Sequence, residues 1–300
     1  MKKLILAGGS GFLGRALIHC FSGECEIVVL SRQTTPIPGA RIVYWDARHG
    51  GNWEEELNGA SALVNLAGKN VSCRYNAANR AEILQSRVLS TQLLGAAIRR
   101  AAAPPPIWIN LSTATIYRHA EDRDMDEETG EYHSDFSVLV AMAWEKAFFE
   151  ADVPVRQVAL RTGIVLGRSG GAFPEWLRLV RRGLGGTEGP GSQFVSWIHQ
   201  DDFAGAVRFA LETPHVSGIY NLTAPEPVTN AYFLRELRQK MGVPVGLPCP
   251  AWLLKIGTAL MGTEAELVLK SRRVVPRRLL ANGFSFTYPH VTAALEQLLR

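Results

Sequence analysis

The chain has 300 residues, 47% of them hydrophobic, with a formal net charge of only +4 and four cysteines. That is enough chain for one large α/β unit or for a domain with a smaller partner. Near-neutral charge gives no argument for nucleic acid, and without any run of about 18 apolar residues no membrane span is expected.

The first apolar run, residues 3–7, is too short for a signal peptide and reads as a strand, so a cytoplasmic protein is expected. Next come Gly8-Gly9-Ser10-Gly11-Phe12-Leu13-Gly14, then an apolar helical pattern at Leu13, Ala16, Leu17 and Cys20. A strand, a Gly-rich turn and a helix start present backbone N–H groups to a pyrophosphate. Gly8 would allow the tight turn, Gly11 the approach of the phosphates, and Gly14 close packing of helix on strand. Gly8, Gly11, Phe12, Leu13 and Gly14 are therefore candidate cofactor contacts; the alternative is a purely structural turn. The second strand, 26–30, ends in Leu30-Ser31-Arg32, where an acid would accept from an adenosine ribose 2′-OH. Arg32 instead offers donors that match a 2′-phosphate, and Ser31 adds a hydroxyl. NADP(H) is expected over NAD(H), unless Arg32 only lies on the adenine.

Further strands are read at 41–45, 62–66, 107–111 and 155–161, apolar enough to be buried on both faces of a parallel sheet. A helix over 78–102 carries Leu89, Leu93 and Ala97 at i+4 spacing. The acidic stretch 121–131 reads as a solvated loop flanking the cleft. The helix over 136–150 is apolar on much of its surface, which suits core burial or a dimer face. The order predicts an α/β, doubly wound (Rossmann) parallel sheet. After Gly163 the character changes to Gly-rich loops at 167–171 and 183–191, a helix over 201–212 with Asp201 or Asp202 as N-cap, and a strand at 218–222. From Thr223 the chain is Pro-punctuated and mostly helical. Residues 1–165, with 196–222 returning to them, are expected to form the NADP-binding domain, and 166–300 a substrate-side lobe. Phe173, Trp176, Phe194, Trp197 and Trp252 make that lobe aromatic but name no ligand. Lys270, Arg272, Arg273, Arg277 and Arg278 read as a solvated helix face or a dock for an acidic partner. Cys20, Cys25, Cys73 and Cys249 lie at no metal-site spacing, so inert thiols and no metal are expected.

Gly8-x-x-Gly11-x-x-Gly14, Asn65-Leu66-Ala67-Gly68 and 111–117 (Leu-Ser-Thr-Ala-Thr-Ile-Tyr) resemble an extended short-chain dehydrogenase/reductase. The segments 161–167, Ser196-Trp197-Ile198-His199 and 220–225, with the tail from Pro250 to Pro289, resemble its atypical "epimerase family protein" group, over essentially the whole chain. The resemblance implies that Leu66 and Ala67 line the adenosine side and that Val165 offers backbone groups to the carboxamide. It also implies that Glu82 and Arg87 belong to the cofactor site, Arg87 reaching the cofactor or a phosphate, unless they form only an exposed helix pair. The wider superfamily uses Tyr-x-x-x-Lys, the Lys lowering the Tyr pKa. Here those positions hold Ser137 and Ala141, and neither can do that work. Thr113 and Tyr117 are the remaining proton-donor candidates, each with a structural alternative; His199 reads as a hinge. An NADP(H)-dependent oxidoreductase acting on an unnamed small molecule is expected. A non-catalytic NADP(H)-binding sensor or assembly protein is the alternative, and an ordinary nucleotide-sugar epimerase is weaker because it needs the missing pair. A homodimer is left open.

Overall fold

The apolar runs become parallel strands. In the computed structural model, which describes residues 2–260 and 262–300, the strands of the first half are β1 (Lys2–Ala7), β2 (Cys25–Ser31), β3 (Arg41–Tyr44), β4 (Ala62–Asn65), β5 (Ile107–Thr113) and β6 (Arg156–Thr162). Shorter ones follow: β7 (Ile164–Leu166), β8 (Phe194–Val195), β9 (Trp197–His199), β10 (Gly218–Leu222) and β11 (Val228–Thr229). Between them lie helices α1 (Phe12–Phe21), α2 (Ala77–Arg100), α3 (Phe136–Phe149), α4 (Phe173–Arg181) and α5 (Gln200–Glu212). The tail adds α6 (Asn230–Lys240), α7 (Ala251–Leu260), α8 (Glu266–Leu269), α9 (Arg277–Ala281) and α10 (Val291–Leu299). No helix among the described residues is long and apolar enough to cross a membrane.

Seven strands form one parallel sheet in the order β3-β2-β1-β4-β5-β6-β10. The chain winds outward to β3, then crosses back to β4 on the other side of β1. That reversal opens a crevice at the carboxyl ends of β1 and β4, where doubly wound sheets bind ligands. Alternate residues serve opposite faces, as the strand period requires. Leu4, Leu6, Ile27 and Val29 pack against α1 and α5, while Ile5, Val28, Leu30 and Trp108 pack against α2 and α3.

Two surface readings are corrected. On α2 the buried side is Ile83, Ser90, Thr91, Leu94, Ala97 and Ile98, and Leu89 is exposed. The helix presses its small residues inward: a Cβ on Gly95 would lie 2.8 Å from the Ala151 Cβ. The acidic stretch and the basic segment are not two solvated faces, because they clasp each other. Arg273 pairs with Asp124 at 2.7 Å and Arg277 with Asp126 at 3.0 Å. The Ser271 hydroxyl donates to the Ala120 carbonyl at 2.6 Å, and Met125 bridges to Val274. Arg278 donates to the Ile219 carbonyl at 2.7 Å, closing the free edge of β10. Of the aromatic residues after Gly163, Phe173, Trp176 and Trp197 pack with Phe233 and Leu295 in one buried cluster, and Trp252 is exposed.

Candidate functional site

The glycine turn is built by interlocking backbones. Gly8 has φ +76°, and its N–H donates to the Leu30 carbonyl at 2.8 Å. A Cβ there would lie 2.8 Å from the Ala67 Cα, so this glycine lets the loop after β4 close on the loop after β1. A Cβ on Gly14 would overlap the Gly9 carbonyl, which holds α1 against the turn. At Gly11 a Cβ would meet nothing within 4 Å. Gly11 is also the N-cap of α1 and supplies no side-chain acceptor. The start of the helix is thus uncapped by any side chain and has room beside Gly11, the arrangement that suits an anion.

Around this turn the other candidate residues fall as follows. Ser31 is buried at the end of β2, and its hydroxyl accepts from the Gln33 N–H at 3.0 Å. Arg32 follows it, exposed and without a hydrogen-bonded partner among the described residues. The Leu66 N–H is used by the Ala7 carbonyl, and Ala67 is buried against Gly8, its N–H fixed by Asn65 Oδ1 at 3.0 Å. The Phe12 ring packs under the 167–171 loop, its nearest ring atoms 2.5 Å from where a Cβ on Gly167 would stand and 2.7 Å from one on Gly170. Leu13 packs against the core of the same sheet face. The Val165 carbonyl faces Gly171, 3.1 Å from a Cβ there. Glu82 is tied to Lys69 Nζ, which holds its carboxyl below the usual range, with Arg48 and Arg32 adding to the effect. Arg87 donates to the carbonyls of Lys69 at 3.1 Å and Ile83 at 3.0 Å and lies over the Trp144 ring. Burial pushes its guanidinium down to about 10.

The acid/base positions are altered in kind. Ser137 donates to Glu266 Oε1 at 2.6 Å, and Ala141 is fully buried among Ile116, Tyr117, Met125 and Val274, where a lysine has no room. Thr113, at the end of β5, is partly exposed, and its hydroxyl meets that of Thr115 at 2.9 Å. Tyr117 is fully buried. Its hydroxyl donates to Asn221 Oδ1 at 2.9 Å and accepts from Arg161 Nη1 at 2.8 Å. Burial pushes that phenol up to about 12, so the geometry assigns Tyr117 to the scaffold and leaves Thr113 as the candidate hydroxyl. The sequence reading missed the network behind it. Arg161 takes both oxygens of Glu145, at 2.9 and 2.7 Å, and reaches the Tyr132 hydroxyl at 2.9 Å. Glu145 also accepts from Ser112 at 2.6 Å. An acid and a base in apolar surroundings 16 residues apart were the available signal.

His199 corrects the expected N-cap of α5. Its own ring accepts the Asp201 N–H through Nδ1 at 3.1 Å, and its Nε2–H faces Gln297 Oε1 at 3.0 Å. This pairing sets the neutral tautomer, and burial lowers the pKa from its ordinary value of about 6.5. The unfolded chain therefore binds a proton first as pH falls. This part of the stability is present above about 6.5 and is lost below it. Denaturant midpoints should fall between pH 7.5 and 5. They should fall less in His199→Asn, which keeps a cap acceptor without the titration; an equal fall in both would clear His199 of the effect.

Comparison with known proteins agrees with this geometry. Residues 4–223 match the family model "NAD dependent epimerase/dehydratase family", and 249–298 match "Domain of unknown function (DUF1731)". The epimerase family protein SDR39U1 of Bos taurus is 37% identical, with 99% of each chain covered. The epimerase family protein YfhF of Bacillus subtilis is 31% identical, covering 99% of this chain and 98% of its own. Among solved structures, human epimerase family protein SDR39U1 (isoform 2), crystallised with NADPH, superposes with a TM-score of 0.87 at 36% identity, over 99% of this chain and 98% of its own. The glycine turn at the switch point, the fold around it and the tail all lead to one conclusion: the chain belongs to the NAD dependent epimerase/dehydratase family.

Proposed function

We propose that this chain binds NADP(H) across the carboxyl ends of β1, β2 and β4 and acts as an oxidoreductase on a small carbonyl or hydroxyl compound. The observation that carries the reading is Arg32, an exposed guanidinium with no hydrogen-bonded partner among the described residues, one residue past a β2 that ends without an acid. The open space at Gly11 fits the pyrophosphate and Arg32 the 2′-phosphate. The solved human relative crystallised with NADPH supports the same choice. The bound nicotinamide would supply hydride transfer. The chain's own part is to hold the dinucleotide on Gly8, Gly11 and Gly14, to seat Leu66, Ala67 and Val165 beside it, and to hold a substrate oxygen at Thr113. Residues 1–165 with 196–222 serve the cofactor in this reading, and the remainder the substrate. The four free cysteines suit a reducing compartment such as the cytoplasm. Leu89, Leu139, Met142 and Phe149 stay exposed on α2 and α3, where a second copy would pack.

Arg32→Ala tests the reading. A charge-assisted contact to phosphate is worth about 1.5–3 kcal/mol, so NADPH affinity should fall about 10- to 100-fold while NADH affinity stays put. Nicotinamide fluorescence measures both. An unchanged NADPH/NADH ratio removes Arg32 from cofactor selection. A second reading, a non-catalytic NADP(H) sensor, is favoured by one observation: the hydroxyl at the tyrosine position is spent on Glu266. NADPH that binds tightly and is never consumed across a panel of carbonyl compounds would support it.

A further inference from the structure

Four arginines converge on a cavity that none of the candidate cofactor residues lines, nor Thr113. It has a volume of about 380 Å³ and lies between α4, the end of α10 and the loop after β7. That is the small end of the range for small-molecule pockets. Leu177 of α4 and Leu298 of α10 give it an apolar part, and Arg168, Arg178, Arg181 and Arg300 a cationic one. No aspartate or glutamate lines it. The sequence builds this face locally. Phe173, Trp176 and Val180 commit one side of α4 to the core, and Leu177, Arg178 and Arg181 fall on the other, at i, i+1 and i+4.

The four guanidinium groups are held differently. Arg168 donates through Nη2 to the Gln297 carbonyl at 2.5 Å, which ties the loop after β7 to α10. Arg178 meets both oxygens of Glu175 at 2.8 Å, but both side chains are more than half exposed, and such a pair contributes little. Arg181 is exposed and has no hydrogen-bonded or ionic partner among the described residues. Arg300 is answered by Glu296 at 2.6 Å. Two helices also end here, and arginines in a last turn can serve only to offset the helix dipole. The magnitudes decide against that as the whole account. Two helix ends of roughly half a negative charge each, with Glu175 and Glu296, answer about three of the four cations, and one remains. A lone free cation would mark nothing, since Arg32 and Arg182 are also exposed without a partner among the described residues. What marks this place is the convergence of several guanidinium groups beside leucine side chains in one cavity.

We propose that this cavity binds an amphipathic oxyanion, its phosphate or carboxylate head on Arg168, Arg178 and Arg181 and its apolar body on Leu177 and Leu298. Planar forks of donors suit such a head, and Arg178 exchanges Glu175 for it with little loss. The inference does not rest on the cofactor reading.

The test titrates the full chain by calorimetry in about 0.1 M salt, which screens loose surface attraction. The probes are hexyl phosphate, hexanoate and inorganic phosphate. At least one of the two amphipathic probes should bind, and the tighter one separates phosphate from carboxylate heads. Inorganic phosphate lacks the apolar body and should bind at least about tenfold more weakly than the better probe, the effect of about two methylene groups leaving water. Arg181→Gln should lower the affinity about tenfold or more, the loss of one charge-assisted contact. Its melting temperature should not move, because Arg181 makes no polar contact among the described residues. Leu177→Glu, which sets a carboxylate into the apolar part, should abolish binding. Arg182→Gln removes the same charge one residue away, from a side chain that does not line the cavity. It should change the affinity less than about twofold, as expected of an exposed and screened charge. Binding of neither amphipathic probe overturns the proposal. So do equal losses in Arg181→Gln and Arg182→Gln, because the attraction is then general surface charge. Displacement of the probe by excess NADPH overturns it as well, because the probe then sits on the glycine turn; binding that NADPH leaves unchanged supports it.

Discussion

Replacing Glu145 by glutamine should lower the stability of this protein by about 3–5 kcal/mol, the range seen when one partner of a buried ion pair is removed. Glu145 and Arg161 are 6% and 2% exposed, and their side chains meet at 2.7 Å through one of two bonds. The pair does more than hold two charges together. Ser112 on β5 donates to Glu145, and the Arg161 head group orders Tyr117 and Tyr132, whose rings stack at 5.9 Å. Taking the charge from Glu145 leaves Arg161 uncompensated in a site that water does not reach. Burial alone would disfavour the charged guanidinium, and the Glu145 carboxylate more than reverses that. Guanidinium chloride denaturation measures the loss. A variant within about 0.5 kcal/mol of wild type would fall in the range of ordinary surface substitutions, and the pair would then carry no stability. The double change Glu145→Leu with Arg161→Met should recover part of what the single change loses, because the penalty lies in the orphaned charge and not in the missing attraction.

Gly14→Ala should abolish dinucleotide binding over the accessible concentration range, a loss of more than about a hundredfold, or 2.7 kcal/mol, while the chain still folds. An added methyl at Gly14 overlaps the Gly9 carbonyl, and backbone does not yield as a side chain tip does. The start of α1 must therefore move off the turn. The alanine's better helix propensity returns under 1 kcal/mol, against an overpacking cost of about 1–3 kcal/mol. The net loss of stability is modest, but the uncapped N–H groups at the start of α1 no longer stand where the turn holds them. Gly11→Ala is the control: its Cβ meets nothing within 4 Å in the folded chain. It should leave the melting temperature unchanged and weaken only NADPH binding, through the approach of the phosphates. Equal NADPH affinity in wild type and Gly14→Ala would mean that the interlock with Gly9 is structural and plays no part in the cofactor site.

The strands and their parallel arrangement were legible because burial on both faces leaves an unbroken apolar run, and the glycine spacing marked the turn because only glycine tolerates backbones that close. Arg32 was legible for the same local reason: its place is fixed by counting from the end of β2. What the sequence by itself could not supply were relations between segments far apart in the chain. The acidic stretch near residue 125 and the basic one near 273 each looked like a solvated face. Each is solvated only in isolation, and together they clasp across 149 residues of chain, from Asp124 to Arg273. Tyr117 sat in a motif that suggested chemistry, and only packing revealed that Arg161 and Asn221, 44 and 104 residues away, had used its hydroxyl. His199, expected to precede a capping aspartate, is itself the cap, because Gln297 from the last helix fixes its tautomer. Arg272 read as one of five like charges, and the fold alone separates it from the others by burying it and pairing its neighbours. Periodicity and local backbone constraints are written along the chain, whereas the pairing of charges and the occupation of hydroxyls depend on which distant groups the fold brings within 3 Å of each other.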